Sequence, residues 1–337
     1  MADATMADRA ATLDAFLRRA GWADAERHPL QADASFRRYV RLARRGGTAM
    51  LMDAPAPEDV RPFVRIAHHL VQLGLSAPLV LAADATNGFL VLEDFGDETF
   101  TRALDSGADP GGLYALAVDA MAALQAHPAA RSVAAPRHDA TMLADEGAAL
   151  LVDWYLPEAT GEPTAPALRA DYLARWHAAL ASVLAGPTTL ALRDFHVDNL
   201  MLLAGRDGAR GCGLLDFQDA ALGHPAYDLV SLLEDARRDV PDAVVAAMRL
   251  RHAAALPRLA GPAFDAAYAM LGAARHARVV GLWVRLHRRD GKPGYRRHLP
   301  RTWRLLERAL GHPALAELRD WFDAHVPAAS RRLAEAA

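Results

Sequence analysis

The feature that most limits the fold is a change of hydrophobic period within the first 93 residues. Arg37 to Leu42 and Ala49 to Met52 read as short strands, and the Arg44-Arg45-Gly46-Gly47 turn between them makes a β-hairpin. Pro55 and Pro57 then break the strand. From Glu58 to Leu73 the period lengthens, with Val60, Phe63, Val64, Ile66, Ala67, Leu70 and Val71 on one face, so a helix is expected to return across the hairpin. Leu79 to Ala82 and Phe89 to Leu92 are two more apolar runs. A first helix, marked by Leu13, Phe16 and Leu17, precedes them all.

This order describes a small β-rich lobe ending near Glu93 to Gly96, an acidic, glycine-containing segment suited to a hinge. Beyond it, Leu113 to Ala126, Asp171 to Leu184, Pro241 to Leu256, Pro262 to Leu286 and Pro300 to Leu310 are alanine- and leucine-rich helical segments. One stretch among them differs. Thr189 to Leu192, Leu200 to Leu203 and Gly213 to Phe217 are short apolar runs around polar tips, the pattern of strands that carry a site on their ends and loops. The expected division is 1–96 as a nucleotide-binding lobe and hinge, and 97–337 as a catalytic and substrate-binding lobe.

Composition narrows the function. Lys and Arg total 38 against 41 Asp and Glu, a formal charge of −3, so nothing general favours nucleic acid or an anionic membrane as partner. The single cysteine, Cys212, forms no intramolecular disulfide, is too little for a cysteine-based metal site, and reads as an inert core thiol in a reducing compartment. Met1 to Gly21 lacks an uninterrupted apolar stretch, and no run is long enough to span a membrane, so a cytoplasmic protein is expected, with a monomer favoured.

The chemistry concentrates in Leu192-Arg193-Asp194-Phe195-His196-Val197-Asp198-Asn199-Leu200, followed by Leu214-Leu215-Asp216-Phe217-Gln218-Asp219. Phosphoryl transfer from ATP needs a carboxylate to orient the attacking hydroxyl and accept its proton, and oxygen ligands that hold magnesium on the phosphates. Asp194 and Asn199 are five apart in a loop, and Asp216 ends a short apolar strand, so these segments can supply both. By itself Asp-x-His-x-x-Asn can also be a loop-capping pattern. The second aspartate, the order of lobes and the downstream Gly223-His224-Pro225-Ala226-Tyr227-Asp228-Leu229 argue against that alternative.

These residues resemble the aminoglycoside phosphotransferase and choline kinase-like superfamily. The resemblance implies an α+β, bilobal protein kinase-like fold with a small β-rich N-lobe and a larger, mainly helical C-lobe. It implies ATP and Mg2+ as cofactors, Asp194 as base, Asn199 and Asp216 as magnesium ligands, His196 as a site-ordering residue near substrate, and Asp228 as an anchor of the catalytic loop. Where superfamily members often carry His-Gly before the aspartate, this chain has Leu192-Arg193. Asp33-Ala34-Ser35-Phe36-Arg37-Arg38-Tyr39 occupies the place of a phosphate-covering loop but has no glycine, and no lysine stands near Met52-Asp53. Ser35 would allow close backbone approach, Arg37, Arg38 or Arg41 would supply the missing cation, and Glu93 to Phe95 would hold adenine through the backbone.

Leu214 to Ala220, Gly223 to Ser231, Asp235-Ala236-Arg237-Arg238-Asp239, Met52-Asp53-Ala54-Pro55 and Asp153-Trp154-Tyr155 resemble a narrower branch, the bacterial anomeric kinases of N-acetylmuramate and N-acetylglucosamine in peptidoglycan recycling. That resemblance implies transfer to the C1 hydroxyl of an amino sugar. Gln218, Asp219, Asp153, Trp154, His276, Arg278 and Trp283 are candidates for its pocket. Trp154 and Trp283 also read as core residues, and Arg275, Arg278 and Arg285 as a solvated helix face. A kinase of another small alcohol, such as an aminoglycoside antibiotic, and a catalytically silent nucleotide-binding module are the alternatives.

Overall fold

The computed structural model describes residues 2–30, 37–326 and 330–332. In chain order it begins with helix α1 (Ala2–Arg19), strands β1 (Glu26–Pro29), β2 (Arg38–Arg44) and β3 (Gly47–Asp53), helix α2 (Arg61–Gln72), and strands β4 (Val80–Asp84) and β5 (Phe89–Glu93). Helices α3 (Phe100–Asp105), α4 (Pro110–Ala126), α5 (Leu156–Thr160) and α6 (Pro166–Leu184) follow, then β6 (Thr189–Ala191), β7 (Leu200–Leu202), β8 (Cys212–Leu214) and β9 (Ala221–Gly223). The remainder is helical: α7 (Ala226–Leu233), α8 (Asp242–Ala255), α9 (Pro262–Arg288), α10 (Leu299–Leu310) and α11 (Ala316–His325). None of these helices is long and apolar enough to cross a membrane.

The chain forms two compact units. One gathers Met1–Asp109, Ser132–Ala134 and Val197–Asp219; the other gathers Pro110–Arg131, Ala135–His196 and Ala220–Ala337.

In the first unit, five antiparallel strands lie in the order β1-β2-β3-β5-β4. The β2–β3 hairpin turns at Arg45-Gly46, where φ is +105° at Gly46, a conformation glycine adopts without a Cβ clash. Alternation along the strands sends Leu42, Ala49, Leu51, Phe89 and Val91 into a core closed by Phe16 and Leu17 of α1, with Phe16 stacked on Phe89 at 5.7 Å. Helix α2 starts with Pro62 in its first turn and buries Phe63, Ile66, Ala67 and Leu70, the face expected from their spacing. Strands β7 and β8 pair antiparallel, and the ladder continues through Leu215 N–H to the Asn199 carbonyl at 3.0 Å. That continuation sets Asn199 beside the residue before Asp216. Cys212, within β8, is fully buried, and burial pushes its thiol far above the ordinary range.

In the second unit, β6 pairs with β9, and α9 is the central element, packing on α6, α7 and α10. It also packs on a segment of wide π-helical turns, Thr141–Ala148 and Leu151–Tyr155. Helix α9 buries residues around its circumference, among them Leu271, Ala273, Ala274, His276, Val280 and Trp283, as a helix surrounded by others does.

Candidate active site

In the second unit, β6 delivers the chain into a tight loop in which Asp194 N–H bonds back to the Leu192 carbonyl at 2.9 Å. The preceding residue, Arg193, has φ +71°; with Asp216 at φ +55° it makes the two non-glycine residues of left-handed backbone among those described. Such a conformation costs about 1–2 kcal/mol per residue and persists where surrounding contacts hold it. Here they do. Buried Asp228 of α7 accepts Leu192 N–H at 2.7 Å and Arg193 N–H at 2.8 Å, the anchoring role the resemblance implied. From α9, Arg275 Nη1 donates to the Arg193 carbonyl at 3.3 Å and lies 3.8 Å from Asp194 Oδ1.

The Asp194 side chain is 31% exposed, so it can meet a ligand. Burial alone would raise its pKa, but Arg275, Arg278, His196 and Arg193 outweigh burial and hold it below the usual carboxylate range. It is therefore an ionised acceptor. His196 is buried, and burial keeps its imidazole neutral; its Nε2 accepts from Arg237 at 3.4 Å. That contact suits a residue ordering the loop.

In the first unit, Asn199 Nδ2 donates to Asp216 Oδ2 at 3.3 Å, and Gln218 Nε2 donates to Asp216 Oδ1 at 2.8 Å and reaches Asp219 Oδ2 at 3.5 Å. Phe217 points the other way and stacks on Phe63 of α2 at 4.8 Å, which fixes the turn carrying Asp216. The Asp216 side chain is 47% exposed. Among the described residues no three His, Cys, Asp or Glu cluster to form a self-sufficient metal cage. Magnesium asks for less, since it binds through one or two protein oxygens and completes its shell with phosphates and water. An exposed carboxylate beside an amide, all hard oxygen donors, fits that ion.

The cation candidates separate clearly. Arg41 is engaged by Asp94 at 2.7 Å, Asp97 at 2.9 Å and the Gly96 carbonyl at 3.0 Å. Arg38 is exposed on β2. Arg37 pairs with Glu58 at 2.9 Å and comes within 4.0 Å of Asp216 Oδ1. Ser35 lies outside the described residues. Glu93 donates its N–H to the Leu79 carbonyl at 2.8 Å and pairs through its carboxylate with Arg206, whose guanidinium sits 5.1 Å from the Phe95 ring centroid. Gly213 leaves room for Phe95, because a Cβ there would meet Phe95 Cδ2 at 3.0 Å.

The remaining sugar-pocket candidates differ in burial and in what already engages them. Asp153, in the π-helical segment, makes a two-pronged pair with Arg169 at 2.7 and 3.0 Å, and neighbouring Trp154 is partly buried. His276 is fully buried against Glu234 at 2.7 Å. Trp283 is buried, donates to Thr302 at 3.0 Å and is stacked by Tyr295 at 5.2 Å, so its ring is already occupied. Arg278 is partly exposed and contributes to the field at Asp194.

Arg275 corrects a sequence expectation. Grouped with Arg278 and Arg285 as a solvated face, it is instead 4% exposed, with its guanidinium 5.7 Å from the Tyr227 ring centroid. A signal was present. Of its four neighbours one helical turn away, Leu271, Gly272 and Val279 are apolar or small and Arg278 is charged, a pattern that leans towards a buried face at position 275.

Phosphate transfer calls for an ionised, accessible carboxylate and for oxygen donors that suit a divalent ion, and the described residues include both kinds of group. Residues 26–262 match the phosphotransferase enzyme family, and the chain belongs to it. It is 39% identical to the N-acetylmuramate/N-acetylglucosamine kinase of Caulobacter vibrioides, covering 96% of this chain and 99% of the relative. To the enzyme of the same name from Pseudomonas aeruginosa it is 37% identical, over 88% and 89%. The GDP complex of wild-type aminoglycoside 2′-phosphotransferase-IIIa shares the fold, with a TM-score of 0.57 at 17% identity over 87% of this chain and 95% of that one. The α+β fold implied by the sequence is therefore the fold found.

Proposed function

We propose that this phosphotransferase is an ATP- and magnesium-dependent sugar kinase acting on the C1 hydroxyl of N-acetylmuramate, N-acetylglucosamine or both, giving the α-1-phosphate in peptidoglycan recycling in the cytoplasm. The observation that carries the reading is Asp194, ionised, partly exposed and set among Arg193, Arg275 and Arg278. Together with it stand relatives of 37–39% identity named N-acetylmuramate/N-acetylglucosamine kinase, which support the choice of sugar.

Asp194 orients the C1 hydroxyl and takes its proton as the bond to phosphorus forms and the bond to the ADP oxygen breaks. An anomeric hydroxyl is more acidic than an ordinary alcohol, and the transition state is loose, so a weakly basic carboxylate suffices. Asn199 and Asp216 would hold the magnesium, which when bound neutralises charge on the donor phosphates. Residues 1–96 would serve the nucleotide, and 97–337 catalysis and the sugar.

The arginines around Asp194 also favour one acceptor class. Partly exposed Arg193 and Arg278 suit the lactyl carboxylate of N-acetylmuramate, and the basic surround opposes a polycationic aminoglycoside, which calls for an acidic one. A silent module has no need of Asp194, Asn199 and Asp216 together.

ADP release with ATP and magnesium is the test, over N-acetylmuramate, N-acetylglucosamine, plain hexoses, choline and kanamycin. Turnover is expected with the two amino sugars, and its absence refutes the reading. The product should be acid-labile, as an anomeric phosphate is; an acid-stable product would move the reaction to another hydroxyl.

A further inference from the structure

We propose that Arg275 is a positioning residue for the reaction: its buried guanidinium fixes the Asp194 carboxylate and the left-handed peptide before it in their working geometry. The inference rests on Asp194 being the base.

A buried guanidinium is costly unless it is paired and hydrogen-bonded, so its position asks for an account. Arg275 is 4% exposed near the middle of α9, among residues that pack as a hydrophobic core. Nη1 reaches in two directions, to the Arg193 carbonyl at 3.3 Å and towards Asp194 Oδ1 at 3.8 Å. The group lies near the ring of Tyr227, and the residue after that tyrosine, Asp228, holds Leu192 and Arg193 by their N–H groups.

Helices α7 and α9 thus hold the two peptides that flank the Arg193 Cα. Asp228 takes the N–H of Arg193, and Arg275 takes its carbonyl. A φ of +71° at Arg193 is strained for a residue with a side chain, and this grip fixes the direction in which the chain leaves it for Asp194. Arginine suits the task, because Nη1 carries two N–H donors held in the guanidinium plane and one rigid nitrogen can face a carbonyl and a carboxylate together. Lysine carries the charge but presents it as a point.

The effect on rate follows from position. Displacing a reacting group by an ångström costs roughly 10²-fold in turnover, and a carboxylate without its neighbouring cation would be both freer and more basic. The contact is directed at the base, so nucleotide binding should be insensitive to it.

The test is a double-mutant cycle in the full-length enzyme with Arg275→Met, Arg275→Lys and Asp194→Asn, reading kcat, KM for ATP and the melting temperature. Arg275→Met is expected to lower kcat by roughly 10²-fold with KM for ATP unchanged, and Arg275→Lys to recover part of the loss. In the Asp194→Asn background, Arg275→Met should lower kcat no further, since the residue acts through the base. Unchanged kcat in Arg275→Met, or a full additional loss on top of Asp194→Asn, overturns the proposal. If Arg275→Met does not fold, Arg275→Lys carries the same cycle. Wild-type turnover in Asp194→Asn alone would instead remove the assigned base, and with it the proposed function.

Discussion

Asp228 holds Arg193 in a left-handed conformation by accepting its backbone N–H at 2.8 Å, while its other oxygen takes the N–H of Leu192 at 2.7 Å. Two donors converge on one carboxylate. Asparagine offers a single acceptor oxygen and turns an amide N–H towards the second donor, leaving a buried group without a partner. Asp228→Asn should therefore lose about 1–3 kcal/mol of stability in urea unfolding, with kcat reduced because the loop before Asp194 loosens. Unaltered stability would mean that the two bonds add nothing.

We propose Arg37 as the cation that replaces the missing strand lysine, because Arg41 is engaged by Asp94 and Asp97 whereas Arg37 reaches towards Asp216 from its pair with Glu58. A phosphate contact and an adenosine contact can be told apart by the ligand used. Arg37→Met should weaken ATP roughly tenfold in calorimetric titration, as expected for a lost charge-assisted hydrogen bond, and leave adenosine unaffected. Equal weakening of both ligands would assign Arg37 to the fold of its unit and not to phosphate.

The sequence disclosed the parts of the fold whose burial is periodic and hid the parts whose burial is not. Helix α2 could be read because it has one wet face and one dry face, and the β2–β3 hairpin because two short apolar runs flank a glycine turn. Strand β1 could not, since all four of its residues are exposed and alternate nothing. Helix α7 is buried on every side, so its eight residues show no amphipathic period. The π-helical segment follows a wider turn than the spacing sought. Within the candidate site, Asp194, Asn199 and Asp216 could be proposed from the sequence because the chemistry asked of them depends on residue type and spacing. Arg275 could not: the spacing of Leu271, Gly272 and Val279 hints at its burial, but what it holds there arises from the packing of α9 on other elements, which no local pattern names.

Close approach of α9 to the π-helical segment was equally invisible, and Gly281 makes it possible. A Cβ at that position would lie 2.1 Å from the carbonyl carbon and oxygen of Leu150 and 2.6 Å from Leu151 N. These are backbone atoms, which cannot turn aside as a side chain does. Gly281→Ala should consequently destabilise by about 3 kcal/mol, the upper end of overpacking effects, despite alanine's better helix propensity. A thermal melt equal to that of the wild type would refute so tight a contact.

Acid should destabilise the protein from just below neutral pH. His138, His224 and His252 are buried, and burial depresses their pKa to about 3, 4 and 4. In an unfolded chain histidine titrates near ~6.5. As pH falls through that value the unfolded state takes up protons the native state refuses, so stability present above pH ~6.5 is lost on the way down towards pH ~4. Each group contributes about 1.4 kcal/mol per pH unit in that window. Asp228 acts in the opposite sense. Burial pushes its carboxyl up to about 6 against the pull of its two N–H bonds, so the native state gains a proton there that the unfolded state does not, and one of the three losses is partly offset. Asp194 and Glu234, both held below their ordinary range, do not enter until the pH is lower still. Urea unfolding at pH 7.5 and 5.5 should thus differ by about 3 kcal/mol, with the acidic sample weaker. Equal stability at the two values would mean that the three histidines are not held neutral in the folded chain.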